Sequence, residues 1–230
     1  MKIFTRVAVC LFLLSPLALY AIDLQNLAKQ NAGKKMAIVS LSANNYNNAL
    51  KGWAEATGSE LMSGKMNVML EIVENLFGQE WNIVKASAFV ANPDYQALAG
   101  IKLPVGLPSD SGASMPLFSK DRAEMIKAKI DPAIITKICD IAGVDFAMVI
   151  YSEWYVKTGL LIPTTKALTK NVISIYDRTG KEVFSGRTDV PGAKTLGAFG
   201  SVVVDENSID EWVDSFEKGL NKFYNTGRRK

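Results

Sequence analysis

Apolar residues fall along this chain in runs whose period changes from block to block. Residues 7–19 (VAVCLFLLSPLAL) form an uncharged apolar run, too short to cross a bilayer as a helix. Lys35 to Leu41 (KMAIVSL) is a compact run followed by turn residues, which predicts a buried strand. Met66, Met69, Leu70, Val73 and Phe77 recur at helical spacing over residues 65–77, giving one apolar helix face that stops near Gly78. Trp81 to Val90 reads as a second strand. Val144 to Lys157 (VDFAMVIYSEWYVK) is the strongest strand, and its start, apolar on both faces, belongs in the centre of a sheet. Residues 169–177 return as a strand, Asp177-Arg178-Thr179-Gly180 turns the chain, and Lys181 to Thr188 completes a hairpin. Ile209, Trp212, Phe216, Leu220 and Phe223 line one stripe of a last helix.

Polar residues punctuate these runs. Asn92-Pro93, Ser119 and Asp131-Pro132 open helices, and Gly143 suits the left-handed end of the third. Ser208-Ile209-Asp210-Glu211 is a capping box and Gly227 a stop. Residues 22–34 read as a loose leader or short helix. Residues 42–60 read as a long connection, and 158–168 and 189–206 as irregular. Residues 100–118 hold three prolines and three glycines, which predicts a loop. The order β-α-β-α-α-β-β-β-α predicts an α/β (α+β) domain over residues 22–230. It is a single mixed β-sheet with a C-terminal antiparallel meander and helices packed on its faces.

Charge adds a compartment. Lys2 and Arg6 precede the first apolar run, and Leu19-Tyr20-Ala21 follows it with a small residue. Residues 1–21 thus have the layout of a signal peptide cleaved near Ala21, which predicts a periplasmic or secreted product. Removing the leader's two basic residues from the 26 leaves 24 against 23 acidic ones, a net charge of +1. That balance excludes the electrostatic footprint of a nucleic-acid partner. A second long apolar run does not follow, so no transmembrane span is expected. Histidine is absent, which removes Ser-His-Asp, Cys-His and His-zinc chemistry within the chain. Cys139 is the one cysteine beyond the leader and reads as a small buried hydrophobe.

Three fragments suggest enzymes. Ser215-Phe216-Glu217-Lys218 and Lys157-Thr158-Gly159 are the S-x-x-K and K-T-G strings of penicillin-recognising enzymes, but in reversed order. Ser215 and Lys218 are expected near the outer face of the last helix. The loop GLPSDSGAS lacks the Lys-Ser/Thr ending of a phosphate-cradling loop. Glu71, Glu74, Asp121 and Glu124 sit at helical spacing and read as solvated faces. No catalytic residue, cofactor or metal is assigned. Two features favour binding instead. Tyr151, Glu153, Tyr155 and Lys157 alternate onto one strand face, a mixture common on recognition surfaces. Leu160-Leu161-Ile162-Pro163 puts three apolar residues at a hairpin tip, to be tucked under the domain or offered to a partner or lipid surface.

The opening strand KKMAIVSL, the block AGVDFAMVIYSEW after a helix, and NVISIYDRTGKEVFSGR cover about a third of the chain. In their order they resemble an envelope α/β family. Its members include the lipoprotein activator of penicillin-binding proteins, the curli secretion channel subunit and the amino-terminal domain of TolB. No lipid-anchor cysteine follows the apolar run. The resemblance implies partner binding, and no catalytic residue carries over. The expectation is an exported envelope protein that works non-catalytically by protein–protein contact, in assembly or secretion. Tyr151, Glu153, Tyr155, Leu160, Leu161 and Ile162 would meet envelope proteins, and homo-oligomer assembly stays open. The alternatives are a small-molecule or glycan binder, a carboxylate-dependent hydrolase, or a purely structural secreted protein.

Overall fold

The computed structural model describes residues 24–44, 54–100, 107–108, 114–199 and 208–225. The leader and most of the GLPSDSGAS loop lie outside the described residues. Helix α1 (Leu24–Gln30) precedes strand β1 (Lys35–Asn44), and α2 (Ala54–Phe77) leads to β2 (Asn82–Ile83). A short 3-10 turn (Ala86–Ala88) and α3 (Pro93–Ala97) follow. Strands β3 (Leu107–Pro108) and β4 (Ser114–Met115) pair with each other. Helices α4 (Arg122–Met125) and α5 (Pro132–Ala142) come next, then β5 (Phe146–Thr158), β6 (Thr164–Asp177), β7 (Glu182–Pro191), β8 (Gly197–Ala198) and α6 (Asp210–Asn225).

The main sheet runs β2-β1-β5-β6-β7, with β8 on the same side of β6 as β7. Strands β2, β1 and β5 are parallel, and β5, β6 and β7 form the expected antiparallel meander. The mixed sheet with helices around it is thus the predicted architecture. Its core is built from the buried starts of β1 and β5, where both faces are apolar.

The two sheet faces have different covers. Helix α6 lies on one, with Trp154 of β5 stacked on Trp212 at 5.9 Å between ring centroids and 8° between planes. Helix α1 joins this layer, Gln25 donating to the Tyr224 carbonyl. Residues 115–130 cover the start of the other face. Ser40 donates to Pro116 O, Ser174 to Lys127 O and Tyr176 to Ala128 O. The β1–β5 ladder shifts register at Val39, and the Tyr95 hydroxyl donates to the Val39 carbonyl at 2.5 Å.

Several local expectations change. The strand expected over Trp81–Val90 is two residues long, because the chain turns at Ala86. Part of the expected connection, from Ala54, is helix. Asp121, not Ser119, caps α4: its Oδ1 accepts from Glu124 N–H, while Ser119 donates to the Lys129 carbonyl. Asn92 and Asp131 cap α3 and α5 as expected, and Gly143 ends α5 at φ 65°. Most of the expected 158–168 loop is strand, for β6 begins at Thr164.

Candidate functional site

Helix α6 has a smooth buried face only because Ser215 and Gly219 occupy it beside the aromatics. A Cβ on Gly219 would lie 2.4 Å from Asn171 Nδ2, so the helix comes down onto β6 where a side chain is missing. Ser215 is buried against the sheet, not on the outer face expected for it. Its Oγ accepts Thr169 N–H at 2.7 Å, lies 2.9 Å from Thr169 Oγ1, and donates to the Val190 carbonyl at 2.5 Å. Lys218 pairs with Asp214 at 2.7 Å. Both halves of the S-x-x-K string thus bind the fold itself.

The carboxylates are similarly engaged. Asp121 and Glu124 cap α4, and Glu124 Oε2 also accepts Lys120 N–H. Glu71 and Glu74 do share a cavity of about 250 Å³ with Asn67, Lys85 and Ser87. They stand one turn apart on α2, however, and Glu74 accepts Ala86 N–H at 2.8 Å. A glycosidase pair faces across a cleft instead. Among the described residues no His, Cys, Asp or Glu cluster could hold a metal ion. Burial pushes the Cys139 thiol up to about 12, so the thiolate that makes a cysteine reactive is scarce at neutral pH.

The sites expected for binding lie on a β-sheet arm. Strands β5 and β6 run past the helix layer as a hairpin, paired without interruption to Thr158 and Thr165. Trp212 of α6 meets this arm at its base, its indole N–H donating to the Tyr155 carbonyl at 2.8 Å. Beyond that point Gly159 N–H bonds Thr164 O at 2.9 Å and closes a four-residue loop, Leu160 to Pro163. Glycine is required there, since a Cβ would stand 2.4 Å from the Ile162 carbonyl. On the returning edge β8 pairs with Thr164 and Thr165, and Phe199 N–H bonds the Pro163 carbonyl at 2.7 Å. The arm is therefore three strands wide close to its tip.

Leu160 and Leu161 are fully exposed, and Ile162 is exposed to 70%. The untucked form of the tip is the one observed. Phe199, 85% exposed, adds a fourth apolar side chain. It adopts φ 53°, a left-handed backbone uncommon outside glycine. Sequence reading passed over it because it lies in residues expected to be irregular, far along the chain from the hairpin. Its one signal was a lone aromatic between two glycines.

Behind the tip, the expected strand face is half open. Tyr151 is buried and its hydroxyl accepts from Asn44 Nδ2 at 3.2 Å. Glu153 and Tyr155 are half-buried and Lys157 is exposed. Register places Glu153 opposite Lys170, and Lys170 opposite Asp189. Lys170 Nζ also sits 3.6 Å from the centre of the Tyr155 ring. Arg187 grips Asp189 with two hydrogen bonds of 2.9 and 2.8 Å, which holds the Asp189 carboxyl below its ordinary value. Burial, then the Glu153 carboxylate, pushes the Tyr155 phenol up to about 12, so its hydroxyl stays a donor. This face can offer alternating charges and an aromatic ring to another molecule. It has no nucleophile set against a base.

No protein-family model matches the sequence, and no curated protein matches it. Solved structures that are similar include two bacterial proteins. One is a lipoprotein from Neisseria meningitidis, at 12% identity and a TM-score of 0.37 over 82% of this chain and 97% of that one. The other is a hypothetical protein from Chlamydia trachomatis, at 10% identity and a TM-score of 0.37 over 84% and 92%. Likeness at this level carries neither family nor activity to the chain.

Proposed function

We propose that this is an exported protein of the cell envelope that works by contact and not by catalysis, with the β5–β6 arm as its docking element. The tip seats the arm, and the Glu153, Tyr155 and Lys170 face behind it receives partner proteins. One observation carries the reading: Leu160 and Leu161 are wholly exposed on a hairpin that is fully paired and braced by a third strand. An exposed apolar patch held in an ordered frame is a liability unless it meets something. The signal-like leader and the absence of histidine support export and non-catalytic work.

Photo-crosslinking in the native envelope tests this. A photoreactive residue replacing Leu161 or Tyr155 is expected to give adducts to envelope components, while one replacing the exposed Val68 of α2 gives few. Equal adducts at all three positions, or none, would remove the arm as the docking element.

A further inference from the structure

The tip and the stretch behind it differ in chemistry. Leu160, Leu161, Ile162 and Phe199 project from one end of the sheet. Next come Lys157 and Lys166, cross-strand partners on one face, with Lys194 on the returning edge. Residues 154–169 and 190–199 hold these three lysines and no acidic residue. Carboxylates enter only at the arm's base, where Glu211 pairs with Lys194 at 3.3 Å and Asp214 accepts the Ala193 N–H at 2.8 Å. The Lys166 ammonium donates to the Ala193 carbonyl, which fixes it beside the segment that links β7 to β8.

From this arrangement we propose that the tip enters the interfacial layer of an anionic lipid membrane, with Lys157 and Lys166 set against the headgroup phosphates. The proposal rests on the reading of the arm as the docking element and names what the tip itself meets. An apolar end backed by basic residues is the chemistry of interfacial anchoring. The geometry fits. Helix α6 meets the arm at Tyr155, and three further residues of strand carry the chain about 10 Å beyond. Interfacial segments sink about 5–10 Å.

Convexity favours lipid over protein. The apolar side chains of the tip stand apart in solvent, so a protein would need a separate pocket for each. A fluid acyl layer closes around any apolar knob. The described cavity beside α2 is lined largely by polar and charged groups, so it offers the tip no apolar socket in a second copy of the chain. The strained Phe199 backbone is held by the Pro163 carbonyl, which keeps this residue next to the loop.

Vesicle flotation with the full exported chain tests the proposal. It is expected to float with vesicles of phosphatidylglycerol and phosphatidylethanolamine, less so as salt rises, and weakly with phosphatidylcholine alone. Leu160→Asp with Leu161→Asp should lower partition at least about tenfold with an unchanged melting temperature, because both side chains are fully exposed. Leu160→Ser with Leu161→Ser should act in the same direction without added charge. Lys157→Glu with Lys166→Glu should lower binding to the anionic vesicles and flatten its salt dependence. The proposal falls if the parent chain fails to float at low salt, if both Leu pairs bind like the parent, or if neutral and anionic vesicles bind equally. Protein adducts at position 161 without flotation would overturn the lipid assignment and keep the docking arm. Neither adducts nor flotation would remove both.

Discussion

Single side chains show how differently a residue reads before and after its surroundings are known. Leu160 and Leu161 were legible as a problem to be solved, since adjacent apolar residues in a hairpin turn must be hidden or used. Ser215 was misplaced. The stripe of Trp212, Phe216, Leu220 and Phe223 defines the buried face of α6 by hydrophobicity, and a serine inside that stripe carries no apolar signal. It is buried because it satisfies β6 and β7 backbone groups that the helix covers. Ser215→Ala should therefore cost about 1–3 kcal/mol, by leaving the buried Thr169 N–H and the part-buried Val190 C=O short of a partner. Chemical denaturation would measure this as a lower midpoint at unchanged slope. A null effect would mean that water replaces the hydroxyl. Phe199 was beyond reach, because its place beside the hairpin depends on strand pairing that is not local in sequence.

Elements were legible where one period dominates. Strands β1 and β5, the end of α2, and α6 were found from runs and stripes, while β6 was cut short. Residues 164–168 (TTKAL) do alternate, with Thr165 and Ala167 buried between half-buried Thr164, Lys166 and Leu168. The alternation puts a threonine inside and a leucine partly outside, so hydropathy does not register it. The start of α2 was obscured by its Gly and Ser content, which lowers helix propensity. The arm's base is an element-scale feature that patterning cannot show. There Trp212 stacks on Trp154 and bonds the Tyr155 carbonyl. In Trp212→Phe the indole donor is lost while most of the ring area remains. Hydrogen exchange should then quicken more at residues 155–158, which pair with β6 alone, than at 146–150, which are held between β1 and β6. A uniform increase would show that Trp212 stabilises the whole sheet and does not hold the arm in particular.

At the scale of the molecule, the docking element and the stabilising core occupy different places. Burial is concentrated where β1, β5 and β6 lie between α6 on one face and residues 115–130 on the other, and the arm extends past both layers. The apolar atoms of Leu160 and Leu161 are removed from water by nothing in the described chain, and Ile162 only in part, so the tip contributes little of the hydrophobic free energy that holds the fold. Their loss should consequently be silent in folding. Replacing Leu160 to Pro163 with Asn-Gly, between the hydrogen-bonded pair Gly159 and Thr164, supplies the residues a tight two-residue hairpin prefers. The melting temperature should stay within about 2–4 °C of the parent, the shift that roughly 1 kcal/mol produces in a chain this size. Crosslinking at Tyr155 and vesicle flotation should fall together in the same variant. A large drop in melting temperature that Leu160→Asp with Leu161→Asp reproduces, and that loss of the Pro163–Phe199 bond therefore does not explain, would show that the tip packs on part of the chain outside the described residues, and its exposure would then be no argument for docking.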